Sequence, residues 1–116
     1  MKVIIAGSRT LDDVWSYIKL LEAVEKSQFK ITEVISGTAK GIDTLAIQFA
    51  QHRDIPVTRF PAYWYKYGKS AGYKRNIDMA NYADALIAVW EGKSKGTKHM
   101  IDIATKKGLK VFVYEV

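Results

Sequence analysis

The chain contains no cysteine and only two histidines among its 116 residues. The missing cysteines exclude disulfides and thiolate metal sites, and they suit a reducing compartment. His52 and His99 stand far apart with no neighbouring ligand pattern, so metal-site spacing is missing too. No serine, histidine and acid arrangement is evident. No apolar run reaches the roughly 20 residues that cross a bilayer. Met1-Lys2 leads directly into a short apolar stretch, not the longer one of a signal peptide. The expectation is a cytoplasmic protein with no membrane partner. Repeats, linkers and low-complexity segments are also absent, so residues 1–116 read as one domain. A domain of this size buries roughly two thirds of its unfolded surface, enough for a core without staples.

Acidic residues are the scarcer charge, 12 against 18 basic ones, for a net charge of +6. That balance favours phosphate-bearing partners, small nucleotides or nucleic acid. What the chain does have is alternating strand and helix. Lys2–Ala6, Glu33–Ser36, Pro56–Phe60, Asp84–Trp90 and Lys110–Glu115 read as strands, the fourth nearly continuous in apolar residues and hence central. Leu11–Lys26 reads as a helix capped by Thr10, with Val14, Ile18, Leu21 and Val24 at helical spacing. Gly41–Arg53, Tyr73–Tyr82 (Ile77 and Met79 inward) and Thr97–Lys107, stopped by Gly108, read as further helices. Ala62–Gly72 is irregular, and Trp15 and Trp90 are expected to pack. The pattern predicts an α/β three-layer sandwich on a five-stranded, mainly parallel sheet.

Three loops of small residues follow three of these strands. They are Gly7-Ser8-Arg9, Ser36-Gly37-Thr38-Ala39-Lys40-Gly41-Ile42-Asp43 and Gly92-Lys93-Ser94-Lys95-Gly96-Thr97. A parallel sheet gathers such loops along one edge, where ligands bind. Their backbone N–H groups and the helix starts behind them favour an anion. Arg9 offers a planar fork for phosphate. Gly37 is expected in a backbone conformation closed to other residues, and Gly41 where the next helix approaches the sheet or a ligand. Asp43 falls in a first helical turn, serving the helix start or accepting from a ribose or base. Arg75 and Asn76 pair a charge with a directional amide, or Arg75 bridges to Asp78. Ser94, Lys95, Gly96 and Thr97 offer hydroxyls, a lysine and helix-start N–H groups, with Thr97 as the cap. The run Tyr63-Trp64-Tyr65-Lys66-Tyr67-Gly68-Lys69 suits base stacking, a lid or a protein interface. Neither a P-loop nor a dinucleotide fingerprint is present, and no cofactor is expected.

Taken together, these motifs resemble the YspA-type branch of the SLOG superfamily. The resemblance rests on Gly7-Ser8-Arg9, on Ser36-Gly37-Thr38-Ala39-Lys40-Gly41-Ile42-Asp43, and on Phe60-Pro61-Ala62 with Trp64, Lys66-Tyr67-Gly68-Lys69 and Ala71-Gly72. It continues through Arg75-Asn76 with Met79, Ala83-Asp84-Ala85, and Ser94 to Ile101. It implies a Rossmann-like domain that binds a nucleotide or phosphorylated nucleoside derivative as a sensor or binding module, and that pairs into a homo-oligomer. Gly7, Ser8, Arg9, Ser36, Gly37, Thr38, Ala39, Gly41, Asp43, Ser94, Lys95, Gly96 and Thr97 would lie around the ligand. Arg75 and Asn76 would hold phosphate or ribose, and Trp64 would cover the base. Two relatives imply alternatives. The chain is similar to the single-stranded-DNA-binding DprA through Ser36, Gly37, Ala39, Gly41, Ile42, Asp43, Arg75 and Asn76, with Thr38 replacing a glycine. It is similar to the LOG phosphoribohydrolases, nucleotide N-glycoside hydrolases, through Arg75, Gly96 and Thr97. Their catalytic glutamate position falls on Met100, and Asn76 stands where lysine is usual.

Overall fold

Val3-Ile4-Ile5-Ala6 is apolar without a break because both of its faces are covered. In the computed structural model, which describes residues 1–116, the chain runs β1 (Lys2–Gly7), α1 (Val14–Ser27), β2 (Glu33–Ser36), α2 (Ile42–His52), β3 (Val57–Arg59), α3 (Trp64–Tyr67), a 3-10 turn (Gly68–Ser70), α4 (Ala71–Tyr82), β4 (Ala85–Trp90), α5 (Lys95–Lys106) and β5 (Lys110–Glu115). Val3 and Ile5 of β1, with Ala85, Ile87 and Val89 of β4, meet Leu20 and Ala23 of α1 and Leu45, Ala46 and Phe49 of α2. Ile4 and Ala6, with Leu86 and Ala88, meet Met79 and Ala80 of α4 and Met100 and Ala104 of α5. The two-residue period of a strand thus feeds two cores, one on each face. No helix is long and apolar enough to cross a membrane.

The strand order is β3-β2-β1-β4-β5, and every neighbouring pair is parallel. The Rossmann-like three-layer α/β sandwich is therefore present, with a sheet that is wholly rather than mainly parallel. The order reverses between β1 and β4, whose carboxyl ends lie side by side with Gly7 opposite Val89. Such a switch point leaves a crevice, because the connections depart to opposite faces.

The structure corrects several expectations. Helix α1 starts at Val14, capped by Asp13 and not by Thr10. The Asp13 carboxylate accepts from the Ser16 N–H at 2.9 Å and from the Ser16 hydroxyl at 2.8 Å. The inward face of α1 carries Ser16, Leu20 and Ala23, so Val14 and Ile18 stand outward. Each lies two residues, roughly 200° around a helix, from an inward position. Trp15, expected to pack, is 72% exposed. The same geometry separates Ile77 from Met79 on α4. Only Met79 is buried, and Ile77 faces outward. The stretch expected to be irregular holds α3 and the 3-10 turn, and α4 begins at Ala71 rather than Tyr73. Gly68, at φ +58°, breaks α3 and lets the chain re-enter a helix three residues on.

Candidate functional site

Beyond the carboxyl ends of β1, β2 and β4 lies a cleft of two joined chambers, about 210 and 320 Å³, which share Arg9, Ala39, Trp64 and Arg75. The first chamber has an apolar floor of Ala6, Met79 and Met100, with Trp64 and Tyr73 beside it. Arg9, Lys69, Arg75, Asp43, Asn76, Ser94 and Thr97 supply its polar groups, and Asp43 is its one carboxylate. The second is lined by the Gly37–Lys40 loop, Pro61 and Ala62. It holds three basic side chains, Arg9, Lys40 and Arg75, and no acidic one.

Ser36 begins the loop that separates the chambers. Its buried hydroxyl donates to the Asp43 carbonyl at 2.8 Å and accepts from the Thr38 N–H at 3.1 Å. The Asp43 carboxylate accepts from the Ala39 N–H at 3.2 Å, closing the loop against the first turn of α2. Left-handed backbone falls on Thr38, at φ +65°, and not on Gly37 as expected. Gly37 is required for space instead. A Cβ there would sit 2.8 Å from both an Arg75 guanidinium nitrogen and an Asp43 carboxylate oxygen. Gly41 combines both demands. Its φ is +81°, and an added Cβ would run into the Ser8 carbonyl and the Arg9 backbone.

Burial pushes the Asp43 carboxyl up to about 6, against the opposing pull of the Arg75 charge, the Ala39 N–H and the Arg9 charge. Arg75 reaches across 38 residues of sequence to donate to the Gly37 carbonyl, and its Nε donates to Asn76 Oδ1 at 3.2 Å. It does not bridge to Asp78; its charge acts on Asp43. Asn76, nearly buried, turns its amide nitrogen to the Gly96 carbonyl at 3.3 Å and to His99 Nδ1 at 3.1 Å. Tyr73 packs its ring on His99 at 4.3 Å between centroids, and burial lowers the pKa of that histidine. Asn76 therefore ties Arg75 to the start of α5.

Helix α5 starts at Lys95 and is capped by Ser94, not Thr97. The Ser94 hydroxyl accepts from the Thr97 N–H at 3.3 Å and lies 2.9 Å from the Thr97 hydroxyl. Glu91 fixes the approach by accepting from the Ser94 N–H at 2.8 Å and the Lys93 N–H at 3.0 Å. The Trp90 indole donates to the Ser94 carbonyl at 3.2 Å. Ser94→Ala is expected to lower stability by about 1 kcal/mol, the usual cost of a lost N-cap, measured by urea unfolding.

Of the residues expected to surround a ligand, Gly7, Arg9, Gly37, Thr38, Ala39, Asp43, Trp64, Arg75, Asn76, Ser94, Gly96 and Thr97 all line the cleft. Ser8, Ser36, Gly41 and Lys95 do not. Ser8 and Ser36 are buried and spend their polar atoms on the loops themselves, the Ser8 carbonyl accepting from Leu11 and Ile42. Lys40, Lys69, Tyr73, Met79 and Met100 also line the cleft without having been expected around a ligand. All but Tyr73 belong to the motifs that carry the family resemblance. Tyr73 carried no signal, because its position follows from where α4 begins.

The family model for the YspA, cpYpsA-related SLOG family matches residues 1–67, more than half of the chain. The Gene 61 protein of Mycobacterium phage D29 is 33% identical over 119 residues, an alignment that covers 95% of this chain and 93% of the phage protein. The chain belongs to the YspA, cpYpsA-related SLOG family. At a coarse level, membership in this SLOG family points to nucleotide-related binding. The matched residues include β1, β2 and both of their loops, so the family segment itself carries Arg9 and Lys40 of the cationic chamber. Arg75, Asn76 and the α5 start lie beyond it, within the stretch aligned to the phage protein.

Proposed function

We propose that the cleft binds a nucleotide or other phosphorylated nucleoside derivative, and that the protein acts as a sensor or binding module. The carrying observation is the convergence of Arg9 and Arg75, from separate parts of the chain, on an acid-free chamber that adjoins one with an apolar floor. The phosphate end is the second chamber, where Arg9, Lys40 and Arg75 stand together. Guanidinium forks and ammonium groups bind phosphate oxygens. The nucleoside end is the first chamber. Met79 and Met100 offer an apolar floor, Trp64 and Tyr73 offer ring faces, and Asp43 and Asn76 offer acceptors for hydroxyl or amino hydrogens. The α5 start plays the smaller part in phosphate binding, since Ser94 already occupies the Thr97 N–H.

Calorimetry with a panel of nucleoside monophosphates tests this reading. Arg9 is exposed and donates none of the internal hydrogen bonds that hold the loops, so Arg9→Ala retains the fold. It is expected to weaken binding about ten- to hundredfold, the loss of one charge-assisted contact worth ~1.5–3 kcal/mol. Wild-type affinity in Arg9→Ala rules out the phosphate end as assigned.

A further inference from the structure

A third chamber of about 270 Å³ adjoins the cleft, sharing Pro61 and Arg75 with the cationic chamber. Arg75 lines all three. Each chamber holds basic and aromatic side chains, and the middle one alone holds no acid. Trp64 and Tyr73 stand in the first chamber, and Arg9, Lys40 and Arg75 in the middle one. Tyr63 and Tyr67 stand in the third, with Arg59 and Lys74 beside them. Tyr63 is 62% exposed, although it carries a large ring that would ordinarily seek cover. Lys66 and Lys74 lie 5.2 and 4.9 Å from the Tyr67 ring centroid, so Tyr67 is engaged and Tyr63 is the open ring face. Asp78 is the one acidic side chain of this chamber.

Size points the same way. Small-molecule sites usually enclose about 300–1,000 Å³. Each chamber alone sits at or below the lower end of that range, whereas the three joined at Arg75 fall in its upper part. A mononucleotide fills one aromatic chamber and part of the cationic one. It leaves Tyr63 unused.

We infer that the site takes a dinucleotide joined through a pyrophosphate, with one nucleoside in the first chamber, the linking phosphates on Arg9, Lys40 and Arg75, and the second base stacked on Tyr63. This inference rests on the nucleotide-binding reading of the same cleft and adds a subsite to it. The chemistry needs nothing further: two anionic groups meet three cations, and each base meets an aromatic face. Base–aromatic stacking is worth about 1–3 kcal/mol for each base. The second base therefore adds an affinity factor of roughly five to one hundred and fifty.

The test is calorimetry on the full chain with AMP and GMP, with the corresponding symmetric dinucleotide pyrophosphates, diadenosine and diguanosine diphosphate, and with a short oligothymidine. One dinucleotide is expected to bind at least about fivefold more tightly than its mononucleotide. Tyr63→Ala is expected to remove most of that advantage and leave mononucleotide affinity unchanged, and Tyr63→Phe is expected to restore it. The side chain is exposed, so circular dichroism of both variants should match wild type. Equal affinity for mononucleotide and dinucleotide, or a dinucleotide advantage indifferent to Tyr63→Ala, overturns the second subsite while leaving the cleft reading intact. Oligothymidine binding more tightly than either dinucleotide assigns the third chamber to a single-stranded polymer and also overturns it. No binding of any probe rejects the cleft reading itself, and the subsite with it.

Discussion

Gly41→Ala is expected to destabilise the fold by about 3–5 kcal/mol, from two independent costs. The backbone at Gly41, with φ +81° and ψ −133°, lies where L-residues with a Cβ are strained, at about 1–3 kcal/mol. The added methyl would also press on the Ser8 carbonyl and lie 2.7 Å from the Arg9 Cα. These are backbone atoms that cannot rotate aside, and overpacking of this kind costs about 1–3 kcal/mol more. Domains of this kind hold only about 5–15 kcal/mol in total, so much of the stability goes. The injury is also local to the site. The Ser8 carbonyl accepts from the Leu11 and Ile42 N–H groups at 3.3 and 3.4 Å, and these bonds lock the β1 loop to the start of α2. Displacing them moves Arg9 away from the cleft wall. Gly96→Ala is the control, because nothing lies within 4 Å of its added Cβ and the residue is in the first turn of α5. It should be neutral or stabilising by up to about 1 kcal/mol. Urea unfolding of both variants decides the matter, and equal effects would contradict the close approach between the loops.

The second large effect is a pH dependence centred on Asp43. Burial is the leading cause of its raised pKa, about 6 in the folded protein against 3.8 as reference. Between these two values the folded chain holds a proton that the unfolded chain has released. The contribution of this group to stability therefore falls as pH rises through that window, is fully present below 3.8, and levels off above about 6. Asp43→Asn removes the titration and keeps an oxygen to accept from the Ala39 N–H. The stability of Asp43→Asn relative to wild type should therefore climb between pH 3.8 and 6, by about 3 kcal/mol at 1.36 kcal/mol per pKa unit. Other carboxylates titrate in both chains and cancel in the difference. Two unfolding curves that stay parallel across this window would show that the carboxylate is not desolvated by the fold.

Asp43 also shows where sequence and structure part. Its place in the first turn of a helix was legible from Gly41-Ile42-Asp43 after a glycine loop. Its burial beneath Gly37 and its opposition to Arg75 were not, because Arg75 arrives from α4, 38 residues beyond Gly37. Ser8 and Ser36 illustrate the reverse. As loop hydroxyls at strand ends they looked like ligand donors, yet both turn inward to satisfy buried backbone groups. A polar side chain at a strand end has two possible partners, the loop and the ligand, and its own neighbours in sequence do not choose between them. The outward Trp15 and Ile77 have a similar origin. A helix apolar on more than one side can bury only the stripe that meets the sheet, and the sheet decides which stripe.

By itself the amino-acid sequence determined the α/β architecture, the central β4, and the loops along one edge. Those features follow from local periodicity, apolar runs and glycine placement, all written within a few residues of one another. Tertiary structure alone decided the strand order, the separation of an acid-free chamber from one that holds Asp43 over an apolar floor, and the meeting of Arg9, Arg75 and Asp43. These depend on distances between segments far apart in the chain, which are set only when two cores close on opposite faces of one sheet.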